Sequence, residues 1–298
     1  MGKLAPLLLE DATELVQSFL LSQISPEGGM KNRAGQSDLY YSFFGLECMI
    51  MLDMEIDYDQ WSSYLISFDD DSEKDLIHFS SLVRCWANLP ENYISEERRS
   101  YFAQSLKQYS SADGSYNTIA GSEKGTAYGC FVALDTLRNL GLGIHQRDVF
   151  TQALLRVQTP CGSFAIDEGM TSGTVPTTCA ALVALNVLGY PLEKMAASYE
   201  WLNKQRCPQG GFWAFAGAPL QDLLSTATAL HTLSSYEVET WENAEIFQAH
   251  DELTLDFIDS LWVNKGSFYA HWSDEQLDVE YLFYALLALG HLAQKKSS

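Results

Sequence analysis

The sequence has few positive charges. Its 39 Asp and Glu residues outnumber 18 Lys and Arg, which gives a formal net charge of −21. A surface this acidic repels phosphate backbones and anionic lipid headgroups. We therefore expect no nucleic-acid partner and no membrane insertion.

Paired cysteines and long apolar runs are also missing. The six cysteines lie singly along the chain, with neither the CxxC spacing of a metal site nor the density of a disulfide framework. The leucine run at residues 7–9 is too short for a signal sequence or a membrane span, and two acidic residues follow it directly. These features predict a reduced, cytoplasmic protein.

A short turn recurs along the chain. It reads Gly-(Gly/Ser)-aromatic or Met, follows a helical stretch and precedes an apolar helix. The five clear copies contain Gly29, Gly114, Gly162, Gly211 and Gly266. The gap between the first two glycines is nearly twice the others, and a degenerate copy at 61–73 fits inside it. The sequence therefore consists of six repeats.

Six apolar segments alternate with six amphipathic ones. The apolar segments are 37–52, 74–89, 124–140, 176–189, 220–235 and 277–293. The amphipathic segments are 10–23, 54–67, 92–109, 147–158, 193–206 and 243–262. A helix that is apolar on most sides must be covered on most sides, and no polar capping repeat is present at either end. We expect one all-α domain over residues 1–298, closed so that 37–52 packs beside 277–293.

The repeat resembles the one shared by protein prenyltransferase β subunits and squalene-hopene cyclases. AASYEWLNKQRCPQGGFWAF at 196–215 is similar to a cyclase QW repeat, and GGMKNRAGQSDLYYSFFGL at 28–46 is similar to a prenyltransferase active-site repeat. The resemblance implies an α/α toroid (an α6/α6 barrel) of six helix hairpins around a funnel-shaped lumen. It also implies a site at the N-terminal ends of the inner helices, an apolar or prenyl ligand, and a partner subunit.

The resemblance suggests a zinc and diphosphate site in the first two repeats. In zinc-dependent prenyltransferases an Asp-x-Cys-Tyr element and a later His hold the metal, with an Arg and a Lys for the diphosphate. Here Arg33, Asp38 and Tyr41 match that pattern, Tyr40 stands at the cysteine position, and the lysine is missing. His78 matches the histidine. Asp38 and His78 are thus the candidate zinc ligands.

A collinear match instead places the metal repeats late in the chain. Asp222 and the segment Asp278, Glu280 and Tyr281 then occupy the site, without Cys or His. Zinc prefers thiolate and imidazole to phenol. We therefore expect either no cofactor or zinc, and no prenylation of a protein cysteine by the zinc mechanism. The candidate catalytic residues are Asp38, Tyr41, His78, Asp222, Asp278 and Glu280.

A cyclase-like function would need an Asp-x-Asp-Asp cluster, in which neighbouring carboxylates raise one pKa so that it protonates an alkene. The acidic run at 69–71 lies before an inner helix, but Glu73, Lys74 and Asp75 follow it, which is typical of a solvated loop. A small terpene-cyclase-like enzyme therefore stays an alternative.

Aromatic side chains are placed to line the lumen, where their ring faces suit an apolar ligand or a carbocation. The candidate ligand-binding residues are Arg33, Tyr40, Tyr128, Trp213, His271 and Tyr281. We expect a central cavity with the candidate acidic residues and His78 near one mouth. The open hypotheses are a prenyltransferase-like or terpenoid enzyme, a noncatalytic lumen that binds an isoprenoid or another apolar ligand, and a protein-interaction scaffold.

Overall fold

The fold consists almost entirely of helices. A computed structural model of the chain describes residues 1–68, 74–235 and 244–297. In chain order the helices are α1 (Pro6–Leu9), α2 (Thr13–Gln23), α3 (Leu39–Met51), α4 (Tyr58–Ile66), α5 (Leu76–Ala87), α6 (Glu96–Ser105), α7 (Ala127–Asn139), α8 (Arg147–Arg156), α9 (Val175–Val187), α10 (Ala196–Asn203), α11 (Leu223–Ser234), α12 (Ala244–Ser260) and α13 (Val279–Ser297). Within these ranges no helix is both long enough and apolar enough to cross a bilayer.

The odd-numbered helices from α3 to α13 form a closed inner ring. Each contacts the next one along the chain, and α13 returns to contact α3. This last contact confirms the predicted proximity of 37–52 and 277–293. The chain is therefore an α/α toroid, as its repeat pattern predicts.

The even-numbered helices lie outside the ring. Helix α2 contacts α3, α4 contacts α5, α8 and α10 each contact two inner helices, and α12 contacts α13. Helix α6 reaches α5 through Phe102, whose ring meets Phe79 edge-on with 5.9 Å between centroids. The charged faces of the amphipathic segments are thereby left towards solvent, as expected for the outer layer.

Short antiparallel hairpins join outer to inner helices. They pair β1 (Met30–Lys31) with β2 (Ser37–Asp38), β3 (Phe212–Trp213) with β4 (Gln221–Asp222), and β5 (Trp262–Val263) with β6 (Ser267–Phe268). In register, Met30 lies opposite Asp38, Phe212 opposite Asp222, and Trp262 opposite Phe268. The sequence predicts these segments as loops. The first two hairpins end at the residue before an inner helix, whereas a loop separates the third hairpin from α13.

The recurrent glycine turn is anchored to the inner helix of its own repeat. In three repeats the residue after the turn donates its backbone N–H to a buried hydroxyl at the fourth position of that helix. The pairs are Met30 to Ser42 at 2.8 Å, Phe164 to Thr178 at 3.0 Å and Phe212 to Thr226 at 3.0 Å. Gly211 has φ +69°, and a Cβ there would lie 2.7 Å from the Phe257 ring. Glycine is therefore required at this turn.

Candidate functional site

A cavity of about 420 Å³ occupies the centre of the ring. All six inner helices contribute to its wall, which contains aromatic side chains such as Tyr40, Tyr128 and Tyr284 and aliphatic ones such as Val183. Its volume falls in the range of small-molecule pockets, roughly 300–1,000 Å³. The predicted central cavity is thus present.

The inner helices all begin at a capping side chain. An Asp or Thr stands directly before each helix, and its side-chain oxygen accepts a hydrogen bond from a backbone N–H of the first turn. This bond satisfies a donor that the helix itself leaves unpaired. The caps are Asp38, Asp75, Thr126, Thr174, Asp222 and Asp278. Asp38, Asp222 and Asp278 are predicted as catalytic, but each of them caps a helix. Capping alone is sufficient reason for an aspartate at these positions.

Arg33 bridges the first repeat and the last one. Its Nε donates to Asp278 Oδ2 at 2.6 Å, and its Nη2 donates to Asp274 Oδ2 at 2.9 Å. Burial lowers the pKa of Arg33, but the hydrogen bonds and charges of the two carboxylates outweigh burial and raise this pKa overall. Both edges of the guanidinium are thereby used within the protein, which leaves little of it for the predicted contact with a diphosphate.

Glu280 lies among tyrosines. The Tyr40 hydroxyl donates to Glu280 Oε1 at 2.7 Å. Burial raises the pKa of Glu280, whereas the hydrogen bond from Tyr40 lowers it. Burial raises the pKa of Tyr128, Tyr281 and Tyr284, and the negative charge of Glu280 raises it further. Within the described ranges Glu280 makes no ion pair.

A second charged pair lies in the lumen wall. Arg84 Nε contacts Asp135 Oδ2 at 3.1 Å, and the Arg84 guanidinium lies 3.4 Å from the centroid of the Phe43 ring. Neither Arg84 nor Asp135 was predicted as a site residue. The available signal was a charge in the middle of an apolar helix, since such a charge requires a partner.

The candidate zinc ligands have other partners. His78 Nδ1 contacts Asp75 Oδ1 at 2.8 Å, and both side chains are nearly half exposed. Asp38 Oδ1 accepts the backbone N–H groups of Tyr40 and Tyr41. No cluster of three or more His, Cys, Asp or Glu in the described parts of the chain has the geometry to hold a metal. These residues do not fit a three-ligand zinc site.

The other predicted ligand contacts divide into two groups. Tyr40 and Tyr128 line the cavity, whereas Trp213, His271 and Tyr281 do not. Trp213 belongs to β3, and its backbone N–H donates to Gln205. His271 lies close enough to Asp222 to lower the pKa of that carboxyl, although burial raises it more strongly. Tyr41, a predicted catalytic residue, has its pKa raised by burial and lies outside the cavity wall.

The acidic run at 69–71, on which a cyclase-like function would depend, lies outside the described residues. So does the end of the degenerate repeat copy at 61–73. Both stay predictions from the sequence.

Comparisons with known proteins give the same architecture. A family profile described as "Prenyltransferase alpha-alpha toroid domain" matches residues 7–85, 94–212 and 193–297. No curated protein sequence matches the chain.

Similar solved structures carry different activities. A Candida albicans protein geranylgeranyltransferase-I complexed with GGPP has a TM-score of 0.72 at 15% identity, covering 95% of this chain and 92% of the other. A variant of the type II terpene cyclase MstE from Scytonema, in complex with geranylgeranyl dihydroxybenzoate, has a TM-score of 0.63 at 14% identity, covering 98% and 97%. An α-1,6-mannanase from Salegentibacter has a TM-score of 0.64 at 9% identity, covering 95% and 98%. At these identities the likeness concerns the fold alone.

Proposed function

The chain belongs to the prenyltransferase alpha-alpha toroid family, and from that premise we propose that its lumen binds an isoprenoid or a similarly apolar small molecule. The observation that carries the proposal is the cavity of about 420 Å³ that all six inner helices line. A concave, largely apolar cavity with a few polar groups is the usual form of a small-molecule site.

The wall of the cavity supports an apolar ligand. Phe44, Phe283 and Leu287 face it from α3 and α13, and Ala180 and Val183 face it from α9. Removing apolar ligand surface from water contributes about 25 cal/mol per Å² before the costs of association. Two structural neighbours are complexes with GGPP and with geranylgeranyl dihydroxybenzoate, which supports an isoprenoid as the ligand class.

The residues at the mouth of the lumen do not support prenyl transfer by the zinc mechanism. That reaction needs a metal to activate a thiol and cations to neutralise the leaving diphosphate. Asp38 and His78 lack a third ligand among the described residues, and Arg33 is already paired with Asp274 and Asp278. We therefore propose a binding lumen, and the catalytic roles and the partner subunit stay predictions.

Calorimetric titration with farnesol, an isoprenoid alcohol, tests the proposal. We expect saturable binding of one farnesol per chain. Val183→Trp adds an indole to the cavity wall and should abolish binding by filling the lumen. Ile166→Trp is the matched control, because Ile166 is 54% exposed and does not line the cavity.

Loss of binding in Val183→Trp alone would support the lumen as the site. Equal loss in both variants, or farnesol binding that Val183→Trp leaves intact, would place the ligand elsewhere. Absence of farnesol binding to the unmodified protein would favour the interaction-scaffold hypothesis. Incubation with farnesyl diphosphate and product analysis separates a binding lumen from an enzyme.

A further inference from the structure

We propose that the lumen selects an organic cation, a quaternary or protonated amine carried on an apolar group, through the rings of Tyr40, Tyr128 and Tyr284. The inference rests on the proposed function, because the apolar part of such a ligand would occupy the same cavity. It specifies the charge of the ligand, which the proposed function leaves undefined.

The three phenol rings line the cavity from three different inner helices. Phe44, which also lines the cavity, contacts two of them, with centroid distances of 4.9 Å to Tyr40 at an interplanar angle of 79° and 5.7 Å to Tyr284 at 54°. Tyr40, Tyr128 and Tyr284 therefore place aromatic rings around the space that a ligand would occupy. The face of an aromatic ring attracts a cation within about 6 Å of its centroid.

Glu280 supplies the counter-charge from behind the wall. Its Oε1 accepts the Tyr40 hydroxyl at 2.7 Å, while the Tyr40 ring lines the cavity. A phenol that donates to a carboxylate carries more electron density in its ring, which strengthens the attraction of that ring for a cation. Glu280 acts as a positioning and polarising residue, since it does not itself line the cavity.

Glu280 forms no salt bridge in the described ranges, although the nearby charge of Arg33 lowers its pKa against the larger rise that burial causes. Arg33 is held by Asp278 and Asp274, and Arg84 is held by Asp135. Burying a carboxylate without a salt bridge is costly, and a cationic ligand close to Glu280 would reduce that cost. Arg84 also shows that this wall holds a cation, because its guanidinium lies 3.4 Å from the centroid of the Phe43 ring.

The charges at the mouth of the lumen also favour a cationic ligand. Helix N-termini carry about half a positive charge each, so six parallel inner helices contribute about three. The carboxylates that lie there are Asp38, Asp75, Asp222, Asp274, Asp278 and Glu280. The negative charges of these carboxylates exceed the positive charge of the helix N-termini and Arg33 together. The cavity, and not the acidic residues by themselves, makes this a ligand site.

Three probes with the same chain length test the charge of the ligand. Decyltrimethylammonium, decanol and decanoate are each titrated into the protein below their micellar concentrations, with binding followed by calorimetry. We expect the ammonium to bind at least tenfold more tightly than the alcohol and the carboxylate. Glu280→Gln should reduce ammonium affinity about tenfold and leave decanol affinity unchanged.

Matched control variants separate the local effects of Glu280 and Tyr128 on binding from a change in net charge and from misfolding. Glu275→Gln removes one charge from the exposed loop before α13 and should change neither affinity. Tyr128→Leu should lose the ammonium preference, whereas Tyr128→Phe, which keeps the ring, should retain it. Tyr128 is 41% exposed, so either change leaves the core intact.

The outcomes distinguish the two proposals. Decanol or decanoate binding as tightly as the ammonium would overturn the cation inference and leave the apolar lumen standing. Ammonium affinity that is unchanged in Glu280→Gln would also overturn it. Failure of all three probes to bind, while farnesol still binds, would overturn the cation inference alone, and failure of farnesol as well would remove both proposals.

Discussion

Arg33 Nε donates to Asp278 Oδ2 at 2.6 Å, although the two residues are 245 positions apart in the chain. Arg33 lies in the hairpin loop of the first repeat, and Asp278 caps the last inner helix, α13. Asp278 is 1% exposed. The pair therefore fastens the first and last repeats at the point where the ring closes.

Replacement of Arg33 by Met should destabilise the fold by about 3 kcal/mol, because it leaves a buried carboxylate without its counter-charge. This is the lower end of the usual range, since the arginine is one-third exposed. Urea denaturation would measure the change in the free energy of unfolding. Lys124→Met is the control, because its ion pair with Glu168 is exposed and should contribute less than about 1 kcal/mol. Equal effects of the two substitutions would contradict the assignment of Arg33 to ring closure.

Farnesol should bind at least tenfold more tightly than farnesyl diphosphate. The diphosphate adds negative charge beside Asp278 and Glu280, and Arg33 is already paired. Added salt should narrow the difference by screening this repulsion. Competition between the two ligands in calorimetry at low and high salt is the measurement. Tighter binding of the diphosphate would mean that Arg33 exchanges its partners.

Gly129→Ala should destabilise the protein by about 1–3 kcal/mol through overpacking. Alanine normally favours a helix interior, but a Cβ at Gly129 would lie 2.5 Å from the Tyr116 carbonyl oxygen. Gly143→Ala provides the comparison, since its Cβ would meet nothing closer than 3.5 Å. Thermal unfolding of both variants would show whether only the first shifts downwards.

Stability should decrease as the pH falls below 6.5, in part through His291. Burial lowers the pKa of His291 to about 3 from 6.5. The unfolded chain therefore binds a proton in this interval that the folded chain does not, and acid favours unfolding by about 1.4 kcal/mol per pH unit. His291→Gln removes this group, so its unfolding free energy should decline less between pH 7.5 and pH 5. Parallel curves for the two proteins would contradict the prediction.

The sequence predicts the inner helices well and the outer ones less well. Predicted segment 37–52 corresponds to α3, because a capping Asp38 and an apolar run define its start and extent. Predicted segment 92–109 is divided instead, since Ser95 caps α6 and the chain before it forms a separate helical turn. An amphipathic pattern specifies a face of a helix but not the residue at which the helix begins.

The site could be predicted only in part. The candidate acidic residues do lie at the N-terminal ends of the inner helices, because capping and the parallel ring place them there. The pairing of Arg33 with Asp278 depends on ring closure, and no local pattern contains it. The ion pair between Arg84 and Asp135 depends on which faces of two neighbouring helices meet, and composition alone does not specify this.

The contact of α13 with α3 leaves the toroid without a first or last repeat. An open repeat array frays from its ends, because the terminal units have one neighbour instead of two. Here every inner helix has two inner neighbours, so no repeat can leave without breaking two interfaces. Local opening is therefore expected in the outer helices and hairpins, while the inner helices exchange their amide hydrogens only in one shared, global event.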